Sequence, residues 1–103
     1  MAFYPLDGPS KQFALSVGSS TPVEVKAGAT AWTARKVVTL QPLDGDIYVY
    51  FADQGETPNA STISTKGFLH YKYQKDTYEA SDTQAIWLVS TSGNVDVRGA
   101  ERA

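Results

Sequence analysis

Along most of this chain apolar and polar residues alternate with a period of two, in short runs separated by Gly, Pro, Asn, Asp and Ser. Successive side chains of an extended strand point to opposite faces, so each such run buries one face and wets the other. Phe13, Leu15 and Val17 form one inward face with Gln12, Ala14 and Ser16 opposite, and Gly18-Ser19-Ser20 ends the run. Val23 and Val25 alternate with Glu24 and Lys26. A third strand begins near Trp32 or Lys36, with its body at 36–41. Pro42 follows, and Asp44-Gly45 reads as a tight turn because glycine tolerates positive φ. Ile47, Val49 and Phe51 then take one side and Tyr48 and Tyr50 the other, which predicts a central strand or one with a face covered by a partner. Further runs at 67–73, 77–80, 84–89 and 95–98 read as strands, the last two joined by Thr91-Ser92-Gly93-Asn94.

Seven to eight short antiparallel strands at this spacing predict an all-β fold, a single-domain β-sandwich or jelly roll over residues 13–103 with an amino-terminal arm at 1–12. With 103 residues, 42% of them hydrophobic, the chain can bury a core without disulfides or metals. No segment of ten residues carries a helical stripe; the Ala-rich stretch 27–35 is interrupted by Gly28, Thr30 and Thr33. Residues 53–66 are polar and follow neither period. A connection of that length reads as an exposed binding loop or a segment ordered by a partner.

Composition narrows the chemistry. There are no cysteines, hence no disulfide, thiolate metal site or cysteine nucleophile. The single histidine, His70, lies in mid-strand among aromatics, where a satisfied or solvent-facing ring is the better reading than a catalytic base or one ligand of a cupin-type metal site. The acidic groups Asp44/Asp46 and Asp76/Glu79/Asp82 lack calcium-loop spacing, and turn or surface roles explain them. No glycine-rich phosphate cradle is present. These points predict a protein without enzymatic activity, cofactor or metal. Nine Lys and Arg scattered in a chain of net charge −2 argue against nucleic acid as a partner. The lack of a signal-peptide pattern or a bilayer-length apolar run predicts a soluble product made in the cytoplasm, with no membrane partner.

Two features suit contact surfaces. Trp32, Trp87, Tyr48, Tyr50, Tyr71 and Tyr73 could form a sugar platform, although Trp87 within its apolar run reads as core and the tyrosines as its border. Phe3, Tyr4 and Leu6 precede the first regular strand, and either pack back on their own sandwich or dock onto a neighbouring subunit.

Gly67-Phe68-Leu69, then Gln84-Ala85-Ile86-Trp87-Leu88-Val89-Ser90, Ser92-Gly93-Asn94 and Val95-Asp96-Val97-Arg98, with the block 37–51 before them, make a pattern that resembles small β-sandwich virion proteins of tailed bacteriophages. The resemblance covers about two thirds of the chain. It implies a structural role: a capsid decoration or cement protein on the outer surface of the virion, bound to the major capsid protein as a homo-oligomer, dimer or trimer. Phe3, Tyr4 and Leu6 would then be the apolar anchors, with Tyr48 and Tyr50 a second protein-binding face. A minor tail or head-to-tail connector component, or a carbohydrate-binding module for host recognition, are the alternatives.

Overall fold

A computed structural model describes residues 10–103. The strands are β1 (Ser10–Val17), β2 (Val23–Glu24), β3 (Val37–Pro42), β4 (Ile47–Phe51), β5 (Phe68–His70), β6 (Asp76–Glu79), β7 (Ile86–Ser90) and β8 (Val95–Arg102), with one helix, α1 (Ala60–Lys66), between β4 and β5. They form two four-stranded antiparallel sheets in the orders β1-β8-β3-β6 and β2-β7-β4-β5. First pairs with last, second with seventh, third with sixth, fourth with fifth, and successive pairs fall in opposite sheets. This is a long hairpin, β1–β4 against β5–β8, wrapped around a core: the jelly-roll order.

The alternation read from sequence sets which side chains meet inside. Val17, Val38, Leu40, Val95 and Val97 from one sheet face Ile47, Val49, Ile86 and Leu88 from the other, joined by Val25 and Ala80. Each such side chain, fully buried, contributes about 1.5–3 kcal/mol. Phe13, Leu15, Phe51 and Tyr78 close the margins of this cluster.

Several local expectations change. Ser10 to Gln12, assigned to the arm from sequence, belong to β1, where they pair with Arg102, Glu101 and Ala100. The Asp44-Gly45 turn crosses between sheets, so β3 and β4 do not pair with each other. Gly45 is needed there for space and not for positive φ, because a Cβ would lie 2.7 Å from the Val95 side chain. β8 runs four residues beyond the expected Arg98. It passes through Gly99, where a Cβ would collide with the Thr39 carbonyl oxygen and come within 2.6 Å of the Phe13 ring.

The polar segment 53–66 is not an exposed loop throughout. Asn59 caps α1, its side chain accepting from the Thr62 N–H at 2.8 Å, and the Gly67 N–H donates to the Ile63 carbonyl at 2.8 Å. The single apolar residue that α1 buries is Ile63, and the helix packs on β4 and β7. Val89 alternates away from the core side of β7 yet is fully buried, so α1 covers part of that sheet's outer face. Of the two expectations for β4 the central strand holds: it lies between β7 and β5, and α1 packs on it. The Ala-rich stretch 27–35 is irregular, and a buried ion pair ties it down.

That pair is Arg35–Glu101. Glu101 lies on the inward row of β8, opposite Val38 and beyond the end of the aliphatic core. Its carboxylate accepts from the Ala27 N–H (2.9 Å), the Trp32 N–H (3.0 Å) and Arg35 Nη1 (2.9 Å). Arg35 also donates to the carbonyls of Val25 (3.1 Å), Ser81 (3.0 Å) and Gln84 (2.6 Å). Burial pushes the Glu101 carboxyl up, but the two backbone N–H groups and Arg35 outweigh it and hold its pKa below the ordinary value. One buried pair thereby fixes two loops to the last strand.

Candidate functional site

The surface that departs most from a wet sheet lies along β5 and the turn after it. Phe68 is 69% exposed, Leu69 41%, Tyr71 59% and Tyr73 62%. Among the described residues β5 is an edge strand of its sheet and pairs with β4: Val49 opposite Phe68, Tyr48 opposite Leu69, Ile47 opposite His70. Sequence alternation suggested a strand through Tyr73, but the strand stops at His70 because the chain turns there. The Gln74 N–H donates to the Tyr71 carbonyl (2.9 Å) and the Lys72 N–H to Asp46 Oδ1 (2.7 Å). Tyr73 sits at φ 66°, the left-handed region that an aromatic residue rarely adopts. Its N–H donates to the Pro42 carbonyl (2.8 Å), and its carbonyl accepts from Gln41 Nε2 (3.0 Å). The strained turn leaves Tyr71 and Tyr73 exposed just beyond Phe68 and Leu69 in the chain, with Lys72 Nζ 5.0 Å from the Tyr73 ring centroid.

Beneath this ribbon the structure is firm. Phe51 stacks edge-on with Phe68 (6.3 Å) and Tyr78 (5.3 Å). His70 is buried, with Nδ1 3.1 Å from the Tyr78 hydroxyl and Nε2 2.7 Å from the Gln74 carbonyl. A carbonyl only accepts, so Nε2 donates to Gln74, and the Tyr78 hydroxyl partners Nδ1, which satisfies both ring nitrogens. Burial raises the Tyr78 hydroxyl pKa, with Asp76 adding to it, which keeps that group protonated. His70 therefore joins β5 to β6 across the margin of the sandwich.

The residues singled out in the sequence are dispersed. Phe3, Tyr4 and Leu6 lie outside the described residues. Tyr48 and Tyr50 are half-buried on the outer face of β4. The Tyr50 hydroxyl donates to the Glu56 carboxylate (2.9 and 3.0 Å), and that bond raises its pKa. Of the six possible platform aromatics, Trp32 and Trp87 are half-buried, and Trp32 lies under Lys11 (5.1 Å to the ring centroid). Only Tyr71 and Tyr73 stand out in solvent, together with Phe68 and Leu69, which sequence reading had placed in a strand. The available signal was the row Leu69, Tyr71 and Tyr73 on one side of a short run, with a further large apolar group, Phe68, on the other side beside His70 and Lys72.

Among the described residues no group of three or more His, Asp or Glu is placed to hold a metal ion, and no helix is long and apolar enough to cross a membrane. Comparison of the chain with protein-family models, curated proteins and solved structures finds no match.

Proposed function

We propose that this chain is a non-catalytic virion subunit, a decoration protein of a tailed phage that docks through the Phe68–Tyr73 ribbon onto the lattice of the major capsid protein. The observation that carries the reading is the ribbon itself: four large apolar side chains standing in water on an edge strand and the strained turn beyond it. An uncovered edge of that kind favours self-association, and a protein-binding role turns that liability to use. Aromatic side chains on a firm base are also the usual centre of a protein interface. The sequence pattern shared with small phage β-sandwich proteins supports the choice of partner.

Lattice repetition relaxes what each copy must achieve. A modest patch, repeated at every equivalent position and linked through a dimer or trimer, gains avidity without new contacts and braces the shell. The chain would then sit on the outer capsid surface. Quantifying it against the major capsid protein in purified particles tests this. A ratio near one copy per capsid subunit, or a fixed simple fraction of it, supports decoration; about a dozen copies or fewer places the chain at a tail or connector vertex instead.

A further inference from the structure

The outer face of the β1-β8-β3-β6 sheet has a chemistry unlike the ribbon. Register places Gln12 beside Ala100, Ala100 beside Thr39 and Thr39 beside Thr77, and in the next row Ala14 beside Arg98 and Arg98 beside Gln41. Small residues at the middle of this face, Ala14 and Ala100, lower its floor between longer neighbours, and the result is an open trough of about 840 Å³. The Thr39 and Thr77 hydroxyls are bonded across the strands at 2.9 Å.

Among the described residues three cations, Lys75, Arg98 and Arg102, line the trough and no carboxylate does, although the whole chain has net charge −2. Asp96, outside the lining, steers Arg98 through Nε (3.3 Å) and Nη2 (3.0 Å), which raises the Arg98 pKa and holds the guanidinium in a set direction. An open, wet, hydroxyl- and amide-lined trough suits a hydrated polymer better than an apolar small molecule, for which sites are enclosed and mostly apolar. Single-stranded nucleic acid is the weaker fit, because the described residues offer the trough no row of aromatic faces for bases.

We propose that this trough binds an anionic oligosaccharide. Sugar hydroxyls exchange hydrogen bonds with Thr39, Thr77 and Gln41, and the acidic groups meet Arg98, Arg102 and Lys75. The site lies on the other sheet from the apolar ribbon, so a subunit docked through the ribbon can present it to a second partner.

The test titrates the isotope-labelled chain with a galacturonate hexamer, with neutral cellohexaose and with oligothymidylate, following amide shifts. We expect the galacturonate oligomer to move Thr39, Gln41, Thr77 and Arg98, cellohexaose to move none of them, and added salt to weaken the effect. Lys75→Gln with Arg102→Gln, both exposed positions, should keep the melting temperature and weaken binding about tenfold or more. Equal binding of the neutral oligomer, no response to the galacturonate hexamer, an unaffected double variant, or tighter binding of oligothymidylate would each overturn the proposal. A ribbon variant, Phe68→Ser with Tyr71→Ser, should bind the galacturonate hexamer as the parent does, which separates this site from the docking role.

Discussion

Replacing Glu101 by Ala should destabilise the sandwich far more than any other single carboxylate change. Both side chains of the pair are fully buried. The substitution strands the Arg35 guanidinium without its counter-charge and leaves the Ala27 and Trp32 N–H groups without their acceptor. Breaking a buried pair from one side costs about 3–5 kcal/mol, a large share of the roughly 5–15 kcal/mol that holds a domain of this size. At about 4 °C or more per kcal/mol, the melting temperature should fall by roughly 12 °C or more. Combining Arg35→Met with Glu101→Leu removes the stranded charge, so the double variant should lose less than the two single losses added, though it still deprives the Val25, Ser81 and Gln84 carbonyls of their donor. Circular-dichroism melts and urea titrations of the parent, Arg35→Met, Glu101→Leu and the double variant provide the cycle, with Glu101→Ala measured beside them. A Glu101→Ala variant that melts within about 2 °C of the parent would refute the claim that this pair fixes the loops to β8, since an exposed pair behaves that way.

Because the Glu101 pKa is lowered in the folded state, its stabilisation is complete above the ordinary value near 4.5 and fades as pH falls through the folded value; urea midpoints against pH should therefore drop on acidification for the parent and be flatter for Glu101→Ala. Gly99→Ala should cost about 1–3 kcal/mol by urea titration, because the added Cβ meets the Thr39 carbonyl and the Phe13 ring across two neighbouring strands. Asn59→Ala removes the α1 cap and should cost about 1 kcal/mol, with amide exchange accelerating at Thr62 and Ile63 and little change in the β8 amides.

Strand positions were legible because alternation is a local property: Phe13/Leu15/Val17, Ile47/Val49 and Val95/Val97 each announce their inward face within a few residues. The helix was not, since seven residues with one buried side chain, Ile63, leave no stripe to detect. The Arg35–Glu101 pair joins positions 66 residues apart, and nothing local distinguishes these two charges from surface ones. Gly99 looked like the end of a strand because a glycine weakens one; here three strands come too close for any Cβ. The ribbon was visible only as a run of large apolar groups. That they stay in solvent follows from the left-handed turn at Tyr73 and from the edge position of β5, both of which depend on tertiary contacts with Pro42, Asp46 and β4.

Co-sedimentation of the purified chain with capsids assembled without it addresses the docking role most directly. Wild-type chain should bind saturably at a fixed ratio to the major capsid protein. Phe68→Ser with Tyr71→Ser, which alters two exposed side chains and gives up one edge-on contact with Phe51, should keep a cooperative folded state by circular dichroism and lose that binding, as removal of central aromatic anchors does at about 2 kcal/mol or more apiece. Undiminished binding by the double variant, or wild-type chain that stays in the supernatant, would contradict the account.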